Sequence, residues 1–111
     1  MASPGDQLVG PIIAERRLSA RISDTEVQEV VIRMATPERE PDGDYRCYWE
    51  IAALAYRKMR YTVGVDGFQA IHLATKMIGV TLWFIAQENA VHLTWEDQDD
   101  IGFPGLRIPT M

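Results

Sequence analysis

Cysteine is almost missing from this 111-residue sequence: Cys47 stands alone. An intrachain disulfide is therefore excluded, and a reducing, cytoplasmic setting is expected. Only two histidines occur, His72 and His92. No spacing of ligand-type residues marks a metal site, so neither a metal nor a cofactor is expected. A glycine-rich phosphate loop is also lacking. Gly64-Val65-Asp66-Gly67 has the wrong spacing and places a carboxylate where a phosphate would need N–H groups alone. Ser3, Ser19 and Ser23 sit in no nucleophile elbow, and Cys47 has no neighbouring histidine in sequence. Outside residues 88–100, 11 Lys and Arg balance 11 Asp and Glu, which argues against a phosphate-backbone partner, so no nucleic acid is expected. Residues 1–11 carry no Lys or Arg and no long apolar stretch, so no secretory signal is expected there.

What is present describes one ordinary domain. Hydrophobic residues make up 47% and charged residues 24%, the balance of a chain that folds around a core. Residues 1–11, with Pro4, Gly5, Gly10 and Pro11, are expected to be a flexible lead-in, and 12–111 a single domain. The net charge is −5. Its location matters more than its size: Glu88, Glu96, Asp97, Asp99 and Asp100 fall in residues 88–100, which hold no Lys or Arg. The rest of the chain is balanced, so one late segment is acidic and invites a basic partner.

Period-two alternation runs through the first half. Leu18, Ala20 and Ile22 share a face against Arg17, Ser19 and Arg21, and Val30, Ile32 and Met34 share a face after the Ser23-Asp24 turn. Residues 36–44 hold Pro37, Pro41 and Asp42-Gly43 and read as a loop. Cys47, Trp49 and Ile51 then oppose Arg46, Tyr48 and Glu50. Met59, Tyr61, Val63 and Val65 oppose Lys58, Arg60, Thr62 and Gly64. The link at 53–57 has no turn residue, leaving a hairpin or a helical turn.

Asp66-Gly67-Phe68-Gln69 has the form of a capping box. Asp66 would accept from the N–H of Gln69, and Gln69 would reach back to the N–H of Asp66. Gly67 is expected to be where the backbone closes on the preceding strand. A helix follows with Ile71, Ala74, Thr75, Ile78, Leu82 and Ile85 on one stripe, and Asn89 as its left-handed cap. Leu73, Met77, Val80 and Phe84 form a second stripe. A helix apolar on two sides is buried on both, forms a homodimer seam, or lies in a membrane. Met77 to Ala86 is only ten residues without a charge, short of the roughly 20 a span requires, so no membrane partner is expected. Val91, Leu93 and Trp95 alternate as a last strand, and the Gly/Pro-rich 97–111 is an irregular tail able to dock on the body. The fold class is α+β: an antiparallel sheet of four to five strands on one long helix, in the order β-β-β-β-α-β.

Three functional readings follow. The first is a non-catalytic module that binds a protein partner. Glu96, Asp97, Asp99 and Asp100 would steer a basic partner and Trp95 would be the aromatic anchor. The second is a small-molecule pocket between sheet and helix near Tyr61, His72 and Trp83. The third, ranked last for lack of a nucleophile and base, is a small enzyme on a polar sheet face of Tyr48, Glu50, Arg60 and Thr62. Asp42-Gly43-Asp44 and Asp97 to Asp100 contain fragments of calcium loops without the rest of the pattern, and read as a turn and a solvated run. Cys47 reads as a buried inert thiol, against the alternative of a reactive one beside Arg46.

The stretches Asp42 to Cys47, Gly64 to Ala74 and Ile78 to Leu82 resemble a family of small bacterial proteins of unknown function with a Gly-x-Asp-x-x-Gln-Ala signature opening a helix. That resemblance implies the same one-domain α+β fold and brings no established activity. Size and acidity also resemble, more loosely, immunity proteins that neutralise bacterial toxins.

Overall fold

The structure, a computed structural model, describes residue 8 and residues 10–104. Six strands form one antiparallel sheet with one long helix on one face. In chain order they are β1 Ile12–Arg21, β2 Val27–Ala35, β3 Glu38–Arg39, β4 Tyr45–Ala53, β5 Tyr56–Gly64, α1 Gly67–Asn89 and β6 His92–Thr94. Across the sheet the order is β5-β4-β2-β1-β6, and β3 continues the line of β2 along β4. This is the expected α+β architecture with one strand more. The extra strand lies in the predicted loop, where Glu38 and Arg39, between Pro37 and Pro41, pair with Arg46 and Tyr45. The lead-in predicted for 1–11 and the tail after Pro104 lie largely outside the described residues.

The alternation read from sequence sets the core. Leu18 and Ala20, then Val30, Ile32 and Met34, then Cys47, Trp49 and Ile51 all point to the helix side and are buried. α1 lies over β4 and β5, and Ala70, Ala74, Ile78, Gly79, Leu82 and Ile85 close the core from its side. Val91, Leu93, Trp95, Ile101 and Phe103 complete the core beyond the helix. The 53–57 link is a tight turn with Leu54 left-handed at φ 56°.

The helix start explains each residue of the signature. Asp66 caps the helix by accepting from the Gln69 N–H at 2.8 Å. Gln69 Oε1 accepts from Val65 N–H at 2.7 Å, one residue earlier than the Asp66 N–H expected of a capping box. A Cβ on Gly64 would run into the backbone of Ala70, whereas one on Gly67 would meet only Pro37 at ordinary contact distance. The close approach expected at Gly67 is therefore made at Gly64. Ala70 is fully buried there, and its carbonyl accepts from Thr62 Oγ1 at 2.9 Å. At the far end Ala90, not Asn89, takes the left-handed conformation, at φ 52°. The Asn89 side chain is spent on the Ile85 carbonyl, 2.9 Å away.

By length and composition α1, at 23 residues, is apolar enough to cross a bilayer. One third of its most apolar window is buried against the sheet.

The contrast at the two glycines gives a test. Gly64→Ala is expected to cost about 2 kcal/mol through overpacking against backbone, and Gly67→Ala to be nearly neutral. Asp66→Ala should fall between, at about 1 kcal/mol for a lost cap. Urea unfolding of the three variants checks the ranking.

Candidate functional site

Strand register divides the polar set Tyr48, Glu50, Arg60 and Thr62 between the two faces of the sheet. Tyr48 pairs with Tyr61 and Glu50 with Met59, while Arg60 pairs with Trp49 and Thr62 with Cys47. Arg60 and Thr62 therefore stand on the helix side, and Tyr48 and Glu50 on the other. The open face instead carries a ladder of ion pairs. Arg17 reaches Glu29 at 2.6 Å and Glu15 at 3.2 Å; Arg33 reaches Glu15 at 2.7 Å and Glu50 at 3.2 Å. Glu50 is buried, so its carboxylate depends on Arg33 for compensation. Hydrogen bonding from Arg33, with Arg17 beside it, holds the Glu15 carboxyl below its usual range.

The acidic segment is folded into a tight hairpin. Trp95 and Gln98 exchange two backbone hydrogen bonds, each 2.9 Å, across Glu96 and Asp97. Both central residues are left-handed, at φ 51° and 63°. A two-residue turn of this kind favours Asn-Gly, because a side chain with Cβ at positive φ is strained. Glu96 and Asp97 stand exposed at its tip. Behind the tip, Asp99 Oδ1 lies 2.8 Å from His92 Nε2, and Asp100 accepts from the Gly102 N–H at 2.8 Å.

One cation fastens this segment to the sheet. The Arg16 guanidinium lies 3.7 Å from the centre of the Trp95 ring and 4.9 Å from that of Phe103, and donates to the Ile101 carbonyl at 3.1 Å. Gly102, at φ 80°, leaves the room that Arg16 and Trp95 fill. Trp95 is thus half-buried and covered by Arg16. It is a fastener of the turn rather than the free anchor expected from sequence.

Tyr61, His72 and Trp83 are not brought together. Tyr61 stands on the open face with its ring 5.4 Å from that of Tyr48. His72 is exposed on α1, and Trp83 lines a cleft with Val91, His92, Asp99 and Phe103. A separate, largely apolar cavity of about 350 Å³ lies between β1, β2 and α1, under Phe103 and Pro104. Among the described residues no three His, Cys, Asp or Glu side chains gather as a metal site. Cys47 is buried on the helix side, opposite in face to Arg46, and burial pushes its thiol up to about 11.

A family model described as a domain of unknown function, DUF6968, matches residues 14–105. No curated protein and no solved structure matches the chain.

Two measurements test this geometry. Replacing Glu96-Asp97 by Asn-Gly is expected to raise stability by about 1–2 kcal/mol, since it removes strain at two left-handed positions; thermal unfolding reads it. For Cys47 the folded thiol titrates above its ordinary value of 9.0. Its contribution to stability is complete below that value and drains away as pH rises towards 11. At pH near 8 the native chain should resist thiol reagents and react only when unfolded.

Proposed function

The chain belongs to this family of unknown function, and we propose that it is a non-catalytic cytoplasmic module that binds a basic protein partner through the Trp95–Asp100 turn. The observation that carries this reading is the left-handed pair Glu96 and Asp97. Strained residues persist where the surrounding structure holds them, and they gather at functional sites. Here the turn displays two exposed carboxylates where Asn-Gly would carry less strain. Asp99 and Asp100 add to the same field from the base of the hairpin. Their contribution is to association rate and partner choice more than to affinity alone. Neutralising a partner of opposite charge is also how an immunity-like inhibitor would act, which keeps that looser resemblance in play. The structural roles of Gly64, Asp66, Gln69 and Ala70 support reading the Gly-x-Asp-x-x-Gln-Ala signature as a fold signature of the family.

A second reading is a small apolar ligand in the cavity under Phe103. It has shape in its favour, but few polar groups converge there to fix an orientation.

The test is replacement of Glu96 by Gln and of Asp97, Asp99 and Asp100 by Asn. The melting temperature should stay level or rise slightly. Cross-linking capture from extracts of the source cell should lose a basic protein that the unaltered chain retains, most visibly at low salt. Undiminished capture of the same proteins would remove this reading.

A further inference from the structure

β5 is an edge of the sheet. It pairs with β4 from Tyr56 to Gly64 in unbroken register, and no described strand pairs with its other side. An edge of this length is ordinarily shortened, bulged or covered. Apolar surface flanks it on both faces of the sheet. On the open face Tyr61 and Val63 are 48% and 43% exposed. On the helix face Met77 and Phe84 are 44% and 49% exposed. With Val80, Thr81 and Arg60 they line a groove of about 280 Å³ between α1 and β5. Trp83 lies round the helix from this groove, in the cleft beside Phe103.

Charge along this edge has one sign. Arg57, Lys58 and Arg60 fall in β5, and no Asp or Glu occurs from Ile51 to Val65. Lys58 pairs with Ile51 and Arg60 with Trp49, so both stand on the helix side. Neither has an ion-pair partner among the described residues. The open face differs, since Arg17 and Arg33 are both paired there.

We infer that β5 accepts an extended acidic segment of a second protein as an added strand. Three observations identify the occupant. The free edge offers a row of backbone donors and acceptors that another strand satisfies. The flanking apolar residues lie on both faces of the sheet. A strand covers both at once, because its side chains alternate between faces, whereas a helix would cover only one. Charge then selects the sequence of that strand. Its helix-side positions enter the groove and end in carboxylates at Lys58 and Arg60, and its other positions are apolar and lie beside Tyr61 and Val63. A second copy of β5 would instead bring cations to cations along the ladder. Lys58 and Arg60 thus deter pairing between copies while admitting a strand of opposite charge. The acidic turn lies beyond β6, at the opposite edge of the sheet, so this inference stands apart from it.

Fluorescence anisotropy on the full chain tests the inference with a labelled peptide, acetyl-Val-Glu-Val-Glu-Val-Glu-Val-amide. A Kd on the order of 10–100 μM is expected for so short a strand. The same peptide with Lys for Glu should bind at least about tenfold more weakly. N-methylation of every second residue is then applied in its two phases. Alternate N–H groups of an added strand face its neighbour, so one phase should abolish binding and the other leave it within about threefold. Lys58→Glu/Arg60→Glu, at exposed positions, should reverse the preference between the two peptides, with circular dichroism verifying the fold. Absence of binding by the glutamate peptide up to millimolar concentration overturns the inference. Equal affinity for the two peptides, an equal effect of the two methylation phases, or binding indifferent to the double substitution each overturn it as well. So does hydrogen exchange in which the β5 amides of the chain alone become protected as its concentration rises, because a second copy then holds the edge.

Discussion

The contact between Gly64 and Ala70 decides where everything else can go. The last residue of β5 has no side chain, so the first turn of α1 settles against strand backbone. Buried Ala70 and Ala74 continue that close approach along the helix. α1 is thereby committed to β4 and β5, and the helix side of β1 and β2 needs another cover. Residues after the helix supply it: Leu93 comes in beside Ala20 through β6, and Ile101 and Phe103 follow. These residues cannot form a second helix, because Gly102 and Pro104 interrupt them. They are held one contact at a time, chiefly by Arg16. The acidic turn is carried outward as a consequence of that arrangement.

Charge is spent differently on the two sides of the molecule. On the open face it largely cancels in pairs, running from Glu29 through Arg17, Glu15 and Arg33 to Glu50. Exposed pairs of this kind contribute little each, and they keep an uncovered sheet face wet. Glu50 differs because its side chain is only 6% exposed. Its charge was brought out of water, and Arg33 is what makes that tolerable. At the hairpin no such cancellation occurs at the tip. A segment that only needed solubility could carry its carboxylates on unstrained backbone. The left-handed pair is the part of the segment that solubility does not explain.

Sequence periodicity made most of this fold legible, and its failures share one cause. Alternation assigns residues to the two faces of a strand but says nothing of which face of the next strand they join. That is set by the turn. The two-residue link Leu54-Ala55 pairs Ala53 with Tyr56 and therefore Tyr48 with Tyr61. A link one residue longer would have put Arg60 and Thr62 beside Tyr48 and Glu50, as the sequence reading had them. No turn residue between Ala53 and Arg57 announces the shorter choice. The Arg16 clamp was hidden for another reason: its partner carbonyl at Ile101 is 85 positions away, and nothing local marks Arg16 apart from its neighbour Arg17. The signature at the helix start was the opposite case. Its cap is a contact between near neighbours, so it was visible, and only the glycine responsible for the close approach was misassigned.

The helix poses the remaining constraint. A sheet can bury one stripe of a helix, and α1 has two. The Thr81 hydroxyl leaves the outer side less polar than its composition suggests, since it donates to the Met77 carbonyl. Such internal bonds leave little for water to hold. Fully burying a side chain the size of Met77 or Phe84 is worth about 2 kcal/mol, and within one copy roughly half of that remains unrealised at each. A helix meant only to close this core would carry charges on that side at no expense to packing, as exposed helix faces ordinarily do. With Lys76 and Glu88 the only two from Gly67 to Asn89, the outer stripe is patterned like the inner one, as a surface for burial.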